Sequence, residues 1–289
     1  MTALTPTPAH PSQRGFDTLN QRGRLSFAGV LRSEWIKLRS LRSTTWSYLI
    51  VIAIALGMAL IMSLSMANGM SGGTDAAAAP AEQQVSFIVQ SSVFGVYFGQ
   101  LVAGVLGVLV ISGEYTTGMI RSTLAAVPKR LPALAAKAVV LFIATYLVGL
   151  VATLGAYLVS SLVFSGVDVS ASLTEPAVFL PLLGASLYLA LVAVFALGVG
   201  TMLRSSAGGI AAVLGLILLV PTVLQMIPAD WAQDLLPYLL SIAGMNMFTS
   251  TTAEATADGF GFWLNLLIVL GWVGASIAGA TVLLKRRDA

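Results

Sequence analysis

The chain has 289 residues, of which 57% are hydrophobic and only 9% charged, and its mean hydropathy is +0.91. A water-soluble domain carries about a quarter of its residues as Asp, Glu, Lys or Arg, so this composition excludes an ordinary soluble fold and requires lipid to cover the surface. The net charge of +3 gives no argument for nucleic acid, and the absence of cysteine excludes disulfides, thiolate catalysis and cysteine metal sites.

Residues 1–25 are rich in Pro, Thr, Gln and Arg, lack apolar periodicity and read as a disordered tail. The first long apolar run begins too late and runs too long for a secretory signal. Residues 26–42, SFAGVLRSEWIKLRSLR, place Phe27, Leu31, Trp35 and Leu38 at helical spacing, with Arg32, Lys37, Arg39 and Arg42 on polar positions. This pattern predicts an amphipathic helix lying on the membrane surface, with Trp35 at headgroup depth.

Six apolar segments follow, at about 45–66, 85–112, 134–164, 177–203, 207–227 and 260–284. Each reaches the ~20 residues that cross a hydrocarbon core. Lipid leaves backbone groups no partner, and strand alternation is absent, so the spans are predicted to be helices. All 15 basic residues fall in, or in the case of Lys137 just beyond, the first, third, fifth and seventh of the polar segments that these spans separate; the second, fourth and sixth hold 8 of the 12 acidic residues and no base. Basic segments stay cytoplasmic, so both termini are expected inside. The predicted fold is all-α: a polytopic membrane domain over residues 45–284 with six transmembrane helices, N-in/C-in, an interfacial helix before it and a cytoplasmic tail at 285–289.

Span one carries Met58, Met62, Met66 and Met70 at four-residue spacing, a row that fills gaps or forms an adaptable surface. In span two, Ser91, Gly95, Gly99, Ala103 and Gly107 form a small stripe suited to close helix packing. Gln90, Tyr97 and Gln100 lie about opposite and must face protein or an aqueous cavity. Span five ends near Pro221, Thr222 and Gln225, which suggests a bend near its outer end. Within the long outer segment 228–259, residues 235–247 are apolar but too short to cross, and read as a re-entrant or interfacial helix.

Between spans two and three lies GEYTTGMIRSTLAAVPKRLPALAAK, residues 113–137. Gly113 and Gly118 allow a tight turn. Thr116 or Thr117 is placed to cap a short helix through Met119, Ile120 and Leu124. Pro128 and Pro132 then redirect the chain. A topogenic loop needs only a few bases; Glu114, Tyr115 and Arg121 beside a capped helix point to a docking element.

The KLRSLRSTTW approach to span one, followed by GEYTTGMIRSTLAAVPKR after span two, resembles the permease subunit of type-two ATP-binding-cassette exporters. The resemblance extends over nearly the whole chain, through six spans with both ends inside. It implies that the stretch after span two is a coupling helix seated on a separate cytoplasmic ATPase subunit, with Glu114, Tyr115, Thr117, Gly118, Met119 and Arg121 as coupling residues. It implies that Trp35, Lys37 and Arg39 belong to a connecting helix on the same face. It further implies a second copy of the permease and a central cavity lined by spans two and five, which makes Phe94, Tyr97, Gln100, Thr222 and Gln225 the candidates for a cargo pathway. A cell membrane, bacterial and inner, is the expected location.

The chain itself has no phosphate-cradling Gly-Lys step, since its four lysines follow Ile36, Pro128, Ala136 and Leu284. ATP and Mg are therefore expected in the partner subunit, and no cofactor here. The single histidine, His10, lies in the tail, and no Asp or Glu falls well inside a predicted span, which argues against catalysis and carboxylate proton relays. An exporter permease for an amphiphilic cargo (drug, peptide or lipid) is the leading reading. A membrane enzyme or an assembly protein without transport activity, and an ATP-independent carrier, are the alternatives.

Overall fold

The computed structural model describes residues 26–70, 80–116, 118, 130–249 and 260–286. Among them there are helices and no strand, and six helices are long and apolar enough to cross a membrane. Helix α1 (Phe27–Ser40) opens with Ser26 as its cap: the Ser26 hydroxyl accepts from the Gly29 N–H at 3.1 Å. Span one is α2 (Arg42–Met70). Span two is split into α3 (Ala81–Val93) and α4 (Val96–Thr116). Span three is α5 (Arg130–Phe164) and span four α6 (Pro176–Leu203).

Span five is interrupted as well. It runs through α7 (Ser206–Leu214), a π-helical stretch (Gly215–Leu219) and α8 (Val220–Gln225). The cause is Pro221. It has no N–H to give the Ile217 carbonyl, and its ring would strike that carbonyl in a regular helix; widening the preceding turn relieves the clash. The irregularity thus lies in the middle of the span, not only at its outer end as expected from the sequence. Short helix α9 (Asp230–Leu235), a 3₁₀ turn (Leu236–Tyr238) and α10 (Leu240–Thr249) follow, and α11 (Phe262–Arg286) is span six.

Span four is the post around which the others stand. Most of its apolar stretch, 83%, is buried, and it touches α4, α5, α7, α10 and α11. Helix α5 has 35 residues, about 52 Å at 1.5 Å per residue, longer than the ~30 Å core. It therefore projects from the bundle and supplies the seat for α1. The ends of α4 and α6 and the starts of α5 and α7 meet beside α1. There Ser206 donates to Ser112 at 2.9 Å, and the Arg204 guanidinium lies 5.3 Å over the Tyr115 ring. This is the basic end of the molecule.

At the opposite end, α10 is not an isolated surface helix. Leu240, Ala243, Met247 and Phe248 are fully buried against α6 and α11. The Trp272 indole of span six also donates to the Tyr238 carbonyl at 2.9 Å.

Candidate functional site at the basic end

The amphipathic pattern of α1 places Phe27, Leu31, Trp35 and Leu38 toward the membrane surface. Its face against the protein is a different, overlapping one. Val30, Glu34 and Leu38 are the buried residues, at successive four-residue steps, while Phe27, Trp35, Ile36 and Arg39 are exposed. An acid has replaced an apolar residue at the centre of the contact because bases wait on the other side.

Those bases are Lys137 and Lys37. The Lys137 ammonium donates to Glu34 Oε2 at 2.5 Å and to Glu114 Oε1 at 2.8 Å. The Lys37 ammonium donates to Glu34 Oε1 at 2.7 Å and to Glu114 Oε1 at 3.2 Å. Two carboxylates and two ammoniums thus close a neutral ring among α1, α4 and α5. Glu34, Glu114 and Lys137 are all more than nine-tenths buried; Lys37 keeps part of its side chain open. Burial alone pushes the Glu34 carboxyl up. The Lys137 charge and the hydrogen bonds from both lysines outweigh it, so Glu34 titrates below the usual carboxylate range. Burial likewise pulls Lys37 down, but its bond to Glu34 and the Glu114 charge carry it above the ordinary lysine value. Both shifts favour the charged forms of Glu34 and Lys37.

Beside the ring is a cavity of about 280 Å³, bounded by Leu38, Leu41, Leu109 and Val110, with Ser40 and Ser43 at its polar edge. Among the described residues, no three His, Asp or Glu side chains come together to hold a metal ion.

The structure changes the meaning of several sequence-predicted residues. Span two continues as helix to Thr116, so Glu114 lies within it and points inward to the lysines; the sequence reading had it facing a partner. Gly113 is helical and makes no turn. Of the two, it is Gly118 that has a positive φ, +70°, and its N–H reaches the Tyr115 carbonyl at 3.3 Å, so this glycine ends the helix. Tyr115 lies under Arg204. Thr117, Met119 and Arg121, with the expected coupling helix, fall outside the described residues, as does the 1–25 tail.

The pathway candidates do not form one cluster within a single chain. Gln100 is buried: its carboxamide accepts from the Tyr188 hydroxyl and donates to the Tyr97 carbonyl at 3.0 Å. Tyr97 is exposed, with Phe94 5.5 Å away by ring centroid. Thr222 and Gln225 are exposed on α8, which packs on the short helices that follow it. The small stripe is divided between two neighbours. A Cβ on Gly95 would come within 2.6 Å of the Ala55 backbone in span one, and one on Gly107 within 2.2 Å of the Ala193 carbonyl in span four. Gly99 lies between Val51 and Leu189, and Ala103 is buried.

Sequence reasoning missed Glu34 and Lys137. A signal existed for Lys137: it stands three residues inside predicted span three, and an ionisable group there demands a partner. Glu34 is the one acid in the interfacial segment, three residues from Lys37.

A family model described as ABC-2 family transporter protein matches residues 30–222, about two thirds of the chain. The match runs from α1 into α8 and so contains all four charges of the ring. No curated protein matches the chain.

Proposed function

The chain belongs to the ABC-2 family of transporter proteins, and on that premise we propose that it exports an amphiphilic cargo as a dimer driven by a separate cytoplasmic ATPase. Both termini and the basic end face the cytoplasm, following the charge asymmetry. ATP and Mg act in the partner subunit. The spans carry few polar groups, which suits a drug, peptide or lipid better than a bare ion.

The observation that carries this reading is the buried ring of Glu34, Lys37, Glu114 and Lys137. A subunit driven from outside must pass a push at its cytoplasmic face into its spans. The ring joins the surface helix α1 to the ends of spans two and three, immediately before the chain leaves span two for the segment expected to dock. Trp35 and Arg39 on the exposed side of α1, and Tyr115, Thr117, Gly118, Met119 and Arg121 beyond the ring, are then the coupling surface. Glu114 acts behind that surface as its anchor.

The test uses permease co-expressed with the ATPase that co-purifies with it. Removing one member of a buried ion pair costs about 3–5 kcal/mol, because the partner charge is left stranded. Glu114→Lys and Lys137→Glu should each uncouple ATP hydrolysis from cargo, and the double reversal should recover a large part of it. Glu114→Gln keeps the shape and an acceptor, and should insert normally while its cargo-stimulated hydrolysis in liposomes falls. Full stimulation in Glu114→Gln and Glu114→Lys alike would leave the ring a structural clip and end the coupling argument.

A further inference from the structure

A second buried polar contact stands far from the charge ring and has a different design. Tyr188, in the middle of span four, has no exposed surface. Its hydroxyl donates to Gln100 Oε1 in span two, and the other end of that carboxamide donates to the Tyr97 carbonyl. Tyr97 is in the first turn after the break between α3 and α4, where Phe94 O accepts from Tyr97 N at 3.2 Å. The break itself is pressed on span one through Gly95.

The ring of the same tyrosine carries the outer helix α10. Gly244 rests directly on it: a Cβ there would lie 1.9 Å from Cε2 and 2.3 Å from Cδ2. Phe248, one turn later, packs at 6.3 Å between ring centroids. One side chain therefore touches the kink of span two with its hydroxyl and the outer helix with its face. A buried tyrosine in lipid surroundings needs its hydroxyl bonded, so the rotamer that seats α10 is also the one that holds Gln100.

We propose that Tyr188 is a positioning residue that ties the seating of α10 to the kink of span two, so that the outer helix cannot lift without releasing the Gln100 carboxamide. This deepens the pathway reading of Gln100 and Tyr97 given above, because it makes their position depend on the outer closure of the molecule.

The chain contains no cysteine, so single reporters can be introduced directly. Val96→Cys reports on the kink, Ala243→Cys on α10 and Ala152→Cys on span three; all three positions are buried. Each is placed in the wild-type, Tyr188→Phe and Gln100→Ala backgrounds, in membranes, and its labelling by a small maleimide is timed. Tyr188→Phe removes only the hydroxyl and keeps the seat of Gly244. The expected result is labelling several-fold faster at both 96 and 243, unchanged at 152, and reproduced by Gln100→Ala. Unchanged labelling at 96 and 243 overturns the link, as does acceleration at only one of them, or an equal acceleration at 152, which is general loosening. The pathway reading is judged separately: if Tyr97→Ala leaves the preference among several cargos unchanged, that reading fails whatever the reporters do.

Discussion

Spans four and five have the same mean hydropathy, yet 83% of the apolar stretch of the first is buried by protein and only 22% of the second. The difference lies in small residues and where they fall. On span four, Gly184 meets the Met247 carbonyl of α10, Gly198 meets Ser276 of span six and Gly200 meets Val108 of span two, each so closely that a Cβ would stand about 3 Å or less from its neighbour. Ala185, Ala190, Ala193 and Ala196 have no exposed surface. Span five meets span two at Gly209 on Val108 and at Val213 and Ile217 on Gly104. From Leu218 onward, Leu218, Leu219, Val220 and Val223 are exposed. Lipid tails are as apolar as leucine, so hydropathy decides that a segment enters the bilayer and says nothing about what it touches there. Close approach of backbones decides the second question.

The largest test of this contrast is Gly107→Ala, on the span two face that meets span four. Its methyl would point at the Ala193 carbonyl from 2.2 Å. Two long helices would have to separate, at about 1–3 kcal/mol or more. Unfolding in mixed detergent should show that loss, and wild-type stability would mean that the spans are not held at this distance.

A smaller effect is expected from Ser186→Ala in span four. Its hydroxyl bonds the Leu182 carbonyl at 2.8 Å and lies 3.1 Å from Thr153 in span three. Interhelical bonds of this kind contribute about 0.6 kcal/mol and at most ~1.7. A double-mutant cycle with Thr153→Ala measures the coupling directly; a value of zero would assign the contact to packing alone.

An effect of similar size but opposite sign is expected from Gly215→Ala in span five. Nothing lies within 4 Å of the added methyl, and the residue has helical φ and ψ. Alanine should stabilise the helix by roughly 0.5–1 kcal/mol by removing backbone freedom from the unfolded chain. Destabilisation together with reduced dimer recovery would show that this side of span five is covered by a second copy.

Much of the fold was legible because its physics is local. Six apolar runs give six helices and Gly118 turns the chain out of span two, all through forces that act within a few residues. The ring at the basic end was half legible. Lys37 and Glu114 stood out by position, but their bond could not be read, since the pairing spans 77 residues of sequence. Lys137 and Glu34, which the sequence analysis did not single out, became central only when α1 was laid on span three. The face that α1 turns to the protein has the same origin: a buried acid is tolerable only where ammonium groups meet it, and no helical periodicity contains that information.

By itself, the sequence determined that this chain lives in a membrane, how many times it crosses and which segments carry its charge, because transfer free energy is set residue by residue. Only the tertiary structure decided which of six strongly apolar helices became the buried post, which face α1 turned inward and which side chains closed the ionic ring. Those choices depend on shape and on partners distant along the chain, and a bilayer, which solvates every apolar face equally well, leaves them to glycine contacts and buried charge.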